Sequence, residues 1–148
     1  MRRMAGPYTE MLRGAGLRVT AARIAVLDVI DRGGHCDADE IRSGVNAELG
    51  SISGQAIYDA VNTLTARGVL RRIAPAGSRA RYELNHGDNH HHVVCRDCGR
   101  MGDIACAVGS APCLEPMNLE PGWDVDVAEV IYWGRCPECA REQCARGA

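Results

Sequence analysis

The sequence predicts an α+β fold in two parts, a helical N-terminal half closed by a β-hairpin and a small strand-rich C-terminal half pinned by metal. Apolar residues recur at helical spacing as far as Gly68 and then give way to short β-rich runs. The charge changes sign between the halves: residues 1–84 carry 12 Arg against 9 Asp and Glu (+3), and residues 85–148 carry 5 Arg against 10 (−5). Two Cys-x-x-Cys pairs, Cys95/Cys98 and Cys136/Cys139, both fall in the second half.

Composition bounds what these halves can be. With 148 residues, 46% of them hydrophobic and 24% charged, the chain can bury an ordinary core as one domain or two small ones. No apolar run reaches the roughly 18 residues of a membrane span, and the N-terminus lacks a signal peptide's apolar stretch. A cytoplasmic protein with no membrane partner is therefore expected. In that reducing setting the eight cysteines fit thiolate metal binding better than a disulfide scaffold.

Element by element, residues 8–15 read as a leading helix closed by Gly14 and Gly16. Thr20 is an N-cap for the next helix, with Ile24, Leu27, Val29 and Ile30 on its apolar face before Gly33-Gly34 stops it. Asp37 with Glu40 three residues on has the form of a capping box, followed by Ile41, Val45 and Leu49 at helical spacing. Ser53 caps a fourth helix lined by Ile57, Val61 and Leu64. Strands at 69–74 and 79–84 flank the turn residues Pro75-Ala76-Gly77-Ser78.

Three helices followed by two strands describe a winged helix-turn-helix over residues 1–84, with 53–67 as the helix that enters the major groove. Gln55 and Tyr58 are polar residues on its exposed face, and Arg71, Arg72, Arg79 and Arg81 on the wing suit phosphates. The polar stretch 85–89 reads as a hinge. Beyond it, residues 90–148 are expected to form a metal-binding unit with strands at 90–94, 100–105, 123–127 and 129–134, a short helix within 108–117 and a terminal helix at 139–145.

The four paired cysteines have the spacing of a closed tetrahedral zinc site, because two intervening residues let a tight turn aim both thiolates at one ion. A redox Cys-x-x-Cys is the competing reading, and Cys106 with Cys113 is a second possible redox pair. Cys36 and Cys144 are left over. On a strand side chains alternate, so His90 and His92 share one face and His91 points away. Such a His-x-His pair chelates a borderline ion such as zinc, iron or nickel. If His35 and Glu83 joined it, the ion would clamp the halves across the hinge; the alternative pairs Glu83 with Arg79 or Arg81.

A resemblance runs from about residue 8 to residue 140. Gly16-Leu17-Arg18-Val19-Thr20 with Arg23, His35 before Ala38, Ile57-Tyr58, Arg81-Tyr82-Glu83, His90-x-His92-x-x-Cys95-x-x-Cys98-Gly99 and Cys136-x-x-Cys139 together are similar to the ferric uptake regulator superfamily. Asp88-Asn89-His90-His91-His92, Cys106-Ala107-Val108-Gly109 and Val130-Ile131-Tyr132-Trp133-Gly134 most resemble its actinobacterial FurA type. That resemblance implies a homodimeric repressor of operators near oxidative-stress genes, such as a catalase-peroxidase. It also implies structural Zn2+ on Cys95, Cys98, Cys136 and Cys139, and a regulatory metal on His35, Glu83, His90 and His92 with Asp103 as a fifth, oxygen ligand. Fe2+ is the expected regulatory ion, with Mn2+, Ni2+ and Zn2+ as alternatives. An Asp at position 103 is the choice of the peroxide-sensing branch, where oxidation of His35 or His90 would release DNA; iron-sensing members often carry Glu.

The expected DNA-contacting set is Arg18, Arg23, Ser53, Gln55, Tyr58 and Arg79. Asp59 stands where many members carry a basic residue, which implies a different operator preference. A third metal site of some members maps onto Asn89, His91 and Ala128, and no such site is expected here. Neither an enzyme nor a small-molecule substrate is implied: four-thiolate zinc leaves no position for water, and no His-x-Glu motif accompanies the cysteines. A thiol redox enzyme, a zinc-ribbon interaction module and a nickel-, zinc- or iron-uptake regulator of the same superfamily are the alternatives.

Overall fold

The computed structural model describes residues 5–146, with side chains to residue 142. The chain divides into two compact units between His86 and Gly87. The first runs α1 (Ala5–Gly14), α2 (Ala21–Gly33), β1 (Cys36–Asp37), α3 (Ala38–Leu49), α4 (Gly54–Ala66), β2 (Leu70–Ile73) and β3 (Arg81–Leu84).

Local chemistry sets these boundaries. Thr20 accepts from the Arg23 N–H to start α2, and Gly34, at φ +75°, ends it with its N–H on Ile30 O. Asp37 and Glu40 form both reciprocal bonds of a capping box on α3, at 2.9 and 2.8 Å. Ser53 Oγ accepts from Ala56 N at 3.2 Å to open α4. The apolar faces then meet in one core that includes Leu12, Leu27, Ile30, Ile41, Val45, Ile57, Leu64 and Leu70. Tyr8 is buried at its edge and donates through its hydroxyl to Asp31 at 2.7 Å.

The wing is a three-stranded antiparallel sheet in the order β1-β3-β2. Its third member was not expected: β1 is two residues long and pairs Cys36 with Tyr82 and Asp37 with Arg81. Too short to show a period-two pattern, it is held by β3, 46 positions on.

The second unit contains β4 (His90–Cys95), β5 (Met101–Ala105), β6 (Ile131–Gly134) and α5 (Pro137–Arg146). Its sheet has the order β5-β4-β6, with β5 antiparallel and β6 parallel to β4. The molecule is thus α+β, a winged helix-turn-helix followed by a C-terminal unit. Two predicted elements are absent. Residues 123–127 form no strand: among the described residues no strand pairs with them, and Trp123 and Val127 are exposed. Residues 108–117 form turns rather than a helix: Gly109 sits at φ +79°, and Pro112 and Pro116 supply no N–H. Among the described residues no helix is long and apolar enough to cross a membrane.

Candidate metal centres

The sheet of the second unit brings the two Cys-x-x-Cys pairs together. Cys95 ends β4 and lies opposite Gly134 of β6. The turn to Cys98 closes with Gly99, at φ +75°, donating its N–H to Cys95 O at 2.9 Å. On the other side, Cys136 precedes α5 and Cys139 lies in its first turn, while Arg96 N bonds Gly134 O at 2.8 Å. The four Sγ atoms lie within 4.8 Å of one another, with Cys98 and Cys136 at 3.8 Å. Zinc–sulfur bonds of about 2.3 Å in tetrahedral geometry require sulfurs about 3.8 Å apart. The donor set therefore fits a closed zinc site.

Electrostatics prepare that cluster unevenly. The Cys136 N–H, 3.3 Å from Cys95 Sγ, leads a set of backbone donors that bring the Cys95 thiol down to about 6. Cys139 is pushed the other way, first by sharing a hydrogen bond with Cys136. Ion pairs Arg135–Asp97 at 2.7 Å and Arg100–Glu138 at 2.9 Å brace the two cysteine turns against each other.

The other predicted ligands lie in both units. In the first, His35 sits one step beyond the Cys36–Tyr82 pair, which places it opposite Glu83. Its Nε2 lies 3.0 Å from Glu83 Oε2, and the second carboxylate oxygen receives Arg71 at 3.4 Å. Arg71, which faces Glu83 in the β2–β3 register, is an arginine on this carboxylate that the sequence did not suggest. In the second unit, His92 lies directly opposite Asp103 in the β4–β5 register, and His90 is two residues along the same face. Both Nε2 atoms converge on Asp103 Oδ1, at 3.5 Å for His90 and 3.6 Å for His92. His90 Nδ1 is held by Asp88 at 2.9 Å, which turns Nε2 toward the shared carboxylate. Each unit thus presents imidazole beside carboxylate, a donor set suited to iron, manganese, nickel or zinc.

A third grouping was missed at the sequence level. His91, Cys106 and Cys113 bring Nε2 and two Sγ atoms within 4.8 Å of one another. The signal was present: His91 lies opposite Ile104, and Cys106 is two residues beyond Ile104, so period two puts His91 and Cys106 on one face. Only the return of the loop to Cys113 could not be read. Of the remaining cysteines, Cys36 is buried in the core with Sγ 3.7 Å from Val29 O, and burial raises its thiol. The side chain of Cys144 lies outside the described residues.

The same organisation recurs in known proteins. The ferric uptake regulator family model matches residues 14–108. "Transcriptional regulator FurA" of Mycobacterium tuberculosis is 50% identical over 139 residues, covering 94% of this chain and 94% of that protein. "Ferric uptake regulation protein 1" of Mycolicibacterium fortuitum is 52% identical over 126 residues, 85% of this chain and 78% of that one. The chain belongs to the ferric uptake regulator family. Within it, this is a transcriptional regulator of the actinobacterial FurA type. The fold agrees: the ferric uptake regulator Fur of Helicobacter pylori superposes with a TM-score of 0.70 at 20% identity, covering 95% of this chain and 97% of that one.

Several residues expected to meet DNA in this Fur-family chain already have intramolecular partners. Gln55 Nε2 donates to Asp59 at 2.8 Å across one turn of α4, whereas Tyr58 stands 61% exposed. Ser53 accepts as the α4 cap. Arg23 Nη1 donates to Arg18 O at 2.7 Å, so it shapes the approach to α2 while the Arg18 side chain is exposed. Arg79 reaches Asp39 at 2.9 Å and Asp37 at 3.4 Å on the solvent side of the wing.

Proposed function

We propose that this regulator is a metal-dependent repressor that binds operator DNA as a homodimer, with iron as the regulatory ion and peroxide as the signal. The observation that carries the reading is the convergence of His90 and His92 Nε2 on one Asp103 oxygen in the second unit; the first unit carries an imidazole–carboxylate pair of its own at His35 and Glu83. One ion bound by all five would draw them together and fix the angle between the two units. In a dimer that angle sets the separation of the two α4 helices, and so the match to successive half-sites. The ion shifts this equilibrium only by its differential affinity for the DNA-competent arrangement.

Each residue has a distinct part. Asp88 orients His90, Asp103 supplies oxygen, and Glu83, held by Arg71 at 3.4 Å, supplies a second carboxylate. Bound iron(II) would supply the electron that cleaves peroxide. Net transfer of one peroxide oxygen to a ring carbon of His35 or His90, the other oxygen leaving as water, would weaken that ring as a nitrogen donor and so release the clamp. Cys95, Cys98, Cys136 and Cys139 would carry zinc as a structural staple of the second unit. Support for the dimer comes from that unit's exposed Leu114, Met117, Trp123, Val127 and Tyr132, more apolar surface than a small unit ordinarily leaves to water. Tyr58, Gln55, Ser53, Arg18, Arg23 and Arg79 would contact DNA, and oxidative-stress genes such as a catalase-peroxidase would be the targets.

The test is a titration of Fe(II), Mn(II), Ni(II) and Zn(II) into protein stripped of its regulatory metal, with an operator fragment selected from random duplexes, before and after peroxide. Iron should restore binding that peroxide then abolishes. Binding restored equally by all four metals, or untouched by peroxide, would reassign the signal to metal uptake.

A further inference from the structure

His91 faces away from His90 and His92 because successive residues of β4 alternate sides, and its ring is 6% exposed. Its Nε2 is 3.1 Å from Cys113 Sγ. Cys106 Sγ completes a triangle whose atoms all lie within 4.8 Å of one another, and both cysteines are free thiols. Around Cys106 the loop supplies further donors: Asn89 Nδ2 lies 3.3 Å from its sulfur and also donates to Ser110 O at 3.2 Å. The N–H groups of Gly109 and Val108 point at the same sulfur and lower its thiol.

A buried imidazole and two thiols held this closely have few uses as packing. Tetrahedral zinc or cobalt with one nitrogen and two sulfur donors needs donor separations of about 3.3–3.8 Å. The observed spacing accommodates that with small adjustments, whereas a hard ion such as magnesium would find no oxygen donor among the three. From this we infer that His91, Cys106 and Cys113 form a further metal site, for a thiophilic divalent cation of the zinc class, on the face of β4 opposite His90 and His92. Asn89 is its positioning residue, fixing Cys106 Sγ through the amide. With three protein donors the fourth position stays open to water or an added ligand, unlike that of the four-cysteine site. The donors differ from the set that the family resemblance maps onto Asn89, His91 and Ala128: two are thiols from the 106–113 loop, Ala128 has no donor atom, and Asn89 acts on a sulfur. Binding there would tie that loop to the sheet, independently of the regulatory ion.

Cobalt(II) is the probe that tests this, because only a sulfur ligand gives a thiolate-to-cobalt charge-transfer band. Full-length, reduced protein with zinc retained at the four cysteines is titrated anaerobically with Co(II). The site predicts a band that saturates at one equivalent, which the His/carboxylate set cannot produce. The double variant Cys106→Ser/Cys113→Ser should lose the band while keeping its zinc. Asn89→Ala should keep the band but weaken Co(II) binding about 10–100-fold, as loss of a second-layer partner does. His91→Ala should weaken it by at least about tenfold and serves if the double variant fails to fold. No band in the unaltered protein, an undiminished band in the double variant, or unchanged affinity in His91→Ala would overturn the assignment.

Discussion

Asp37 ends β1 by pairing with Arg81, and its carboxylate both caps α3 and takes one end of Arg79. It accepts from Glu40 N at 2.9 Å and from Arg79 at 3.4 Å. The Glu40 N–H is the largest influence, ahead of burial, which opposes it, and of Arg79; together they hold the carboxyl below its ordinary value. A carboxylate depressed in the folded state stabilises the protein above its unfolded value, about 3.9, and that contribution disappears as pH falls through the folded value. Asp37→Ala should therefore cost about 1 kcal/mol at neutral pH, and Asp37→Asn, which keeps the accepting oxygen, distinctly less. Urea unfolding at a series of pH values checks this: the gap between the native chain and Asp37→Ala should narrow on acidification below about pH 4. The cysteines permit a second residue-scale prediction. Cys98→Ser leaves three sulfurs for a closed site, so purified protein should lose its zinc and the second unit its cooperative thermal transition, while the first unit retains its helical circular dichroism.

Helices α2 and α3 meet where a side chain is missing. A Cβ on Gly44 would lie 2.7 Å from Val29 Cγ1 and 2.8 Å from Cγ2, so the close approach needs glycine. Gly44→Ala gains up to about 1 kcal/mol of helix propensity but overpacks the contact by about 1–3 kcal/mol. A net loss in denaturant stability is expected, relieved in part by adding Val29→Ala. That contact was invisible in the sequence, where Gly44 reads as a weak point in an amphipathic helix. What was legible is local: Thr20, Asp37 and Ser53 cap their helices through bonds to residues three positions on, and apolar spacing marks the buried faces. What was not legible depends on distant partners. β1 exists only because β3 pairs with it, and 123–127 carries the alternation of a strand yet finds no partner strand among the described residues. Asp103 could be assigned through family likeness alone, since nothing in its neighbours says that it faces His92. His91 read as belonging to no site for the same reason, its sulfur neighbours being brought in by a loop.

At the scale of the whole molecule, a small second unit with exposed Trp123, Val127 and Tyr132 asks for a second copy. Tyr132 lies on β6, an edge of the sheet order β5-β4-β6. Tyr132→Arg should weaken self-association by at least about tenfold in sedimentation equilibrium, the loss expected from an aromatic near the centre of an interface. Operator affinity should fall with it, since two half-sites must be held at once. The proposed metal clamp makes a separate demand, because on this reading it acts on DNA binding without touching self-association or zinc at the four cysteines. His90 is the residue to remove: it is braced by Asp88, shares Asp103 with His92 and is absent from the four-cysteine cluster. Fluorescence anisotropy of a labelled operator, read against added Fe(II) without oxygen for the native chain and His90→Ala, tests the account most directly. It predicts that His90→Ala remains a zinc-containing dimer whose weak operator binding no longer responds to iron. Iron-dependent binding that survives in His90→Ala would contradict it.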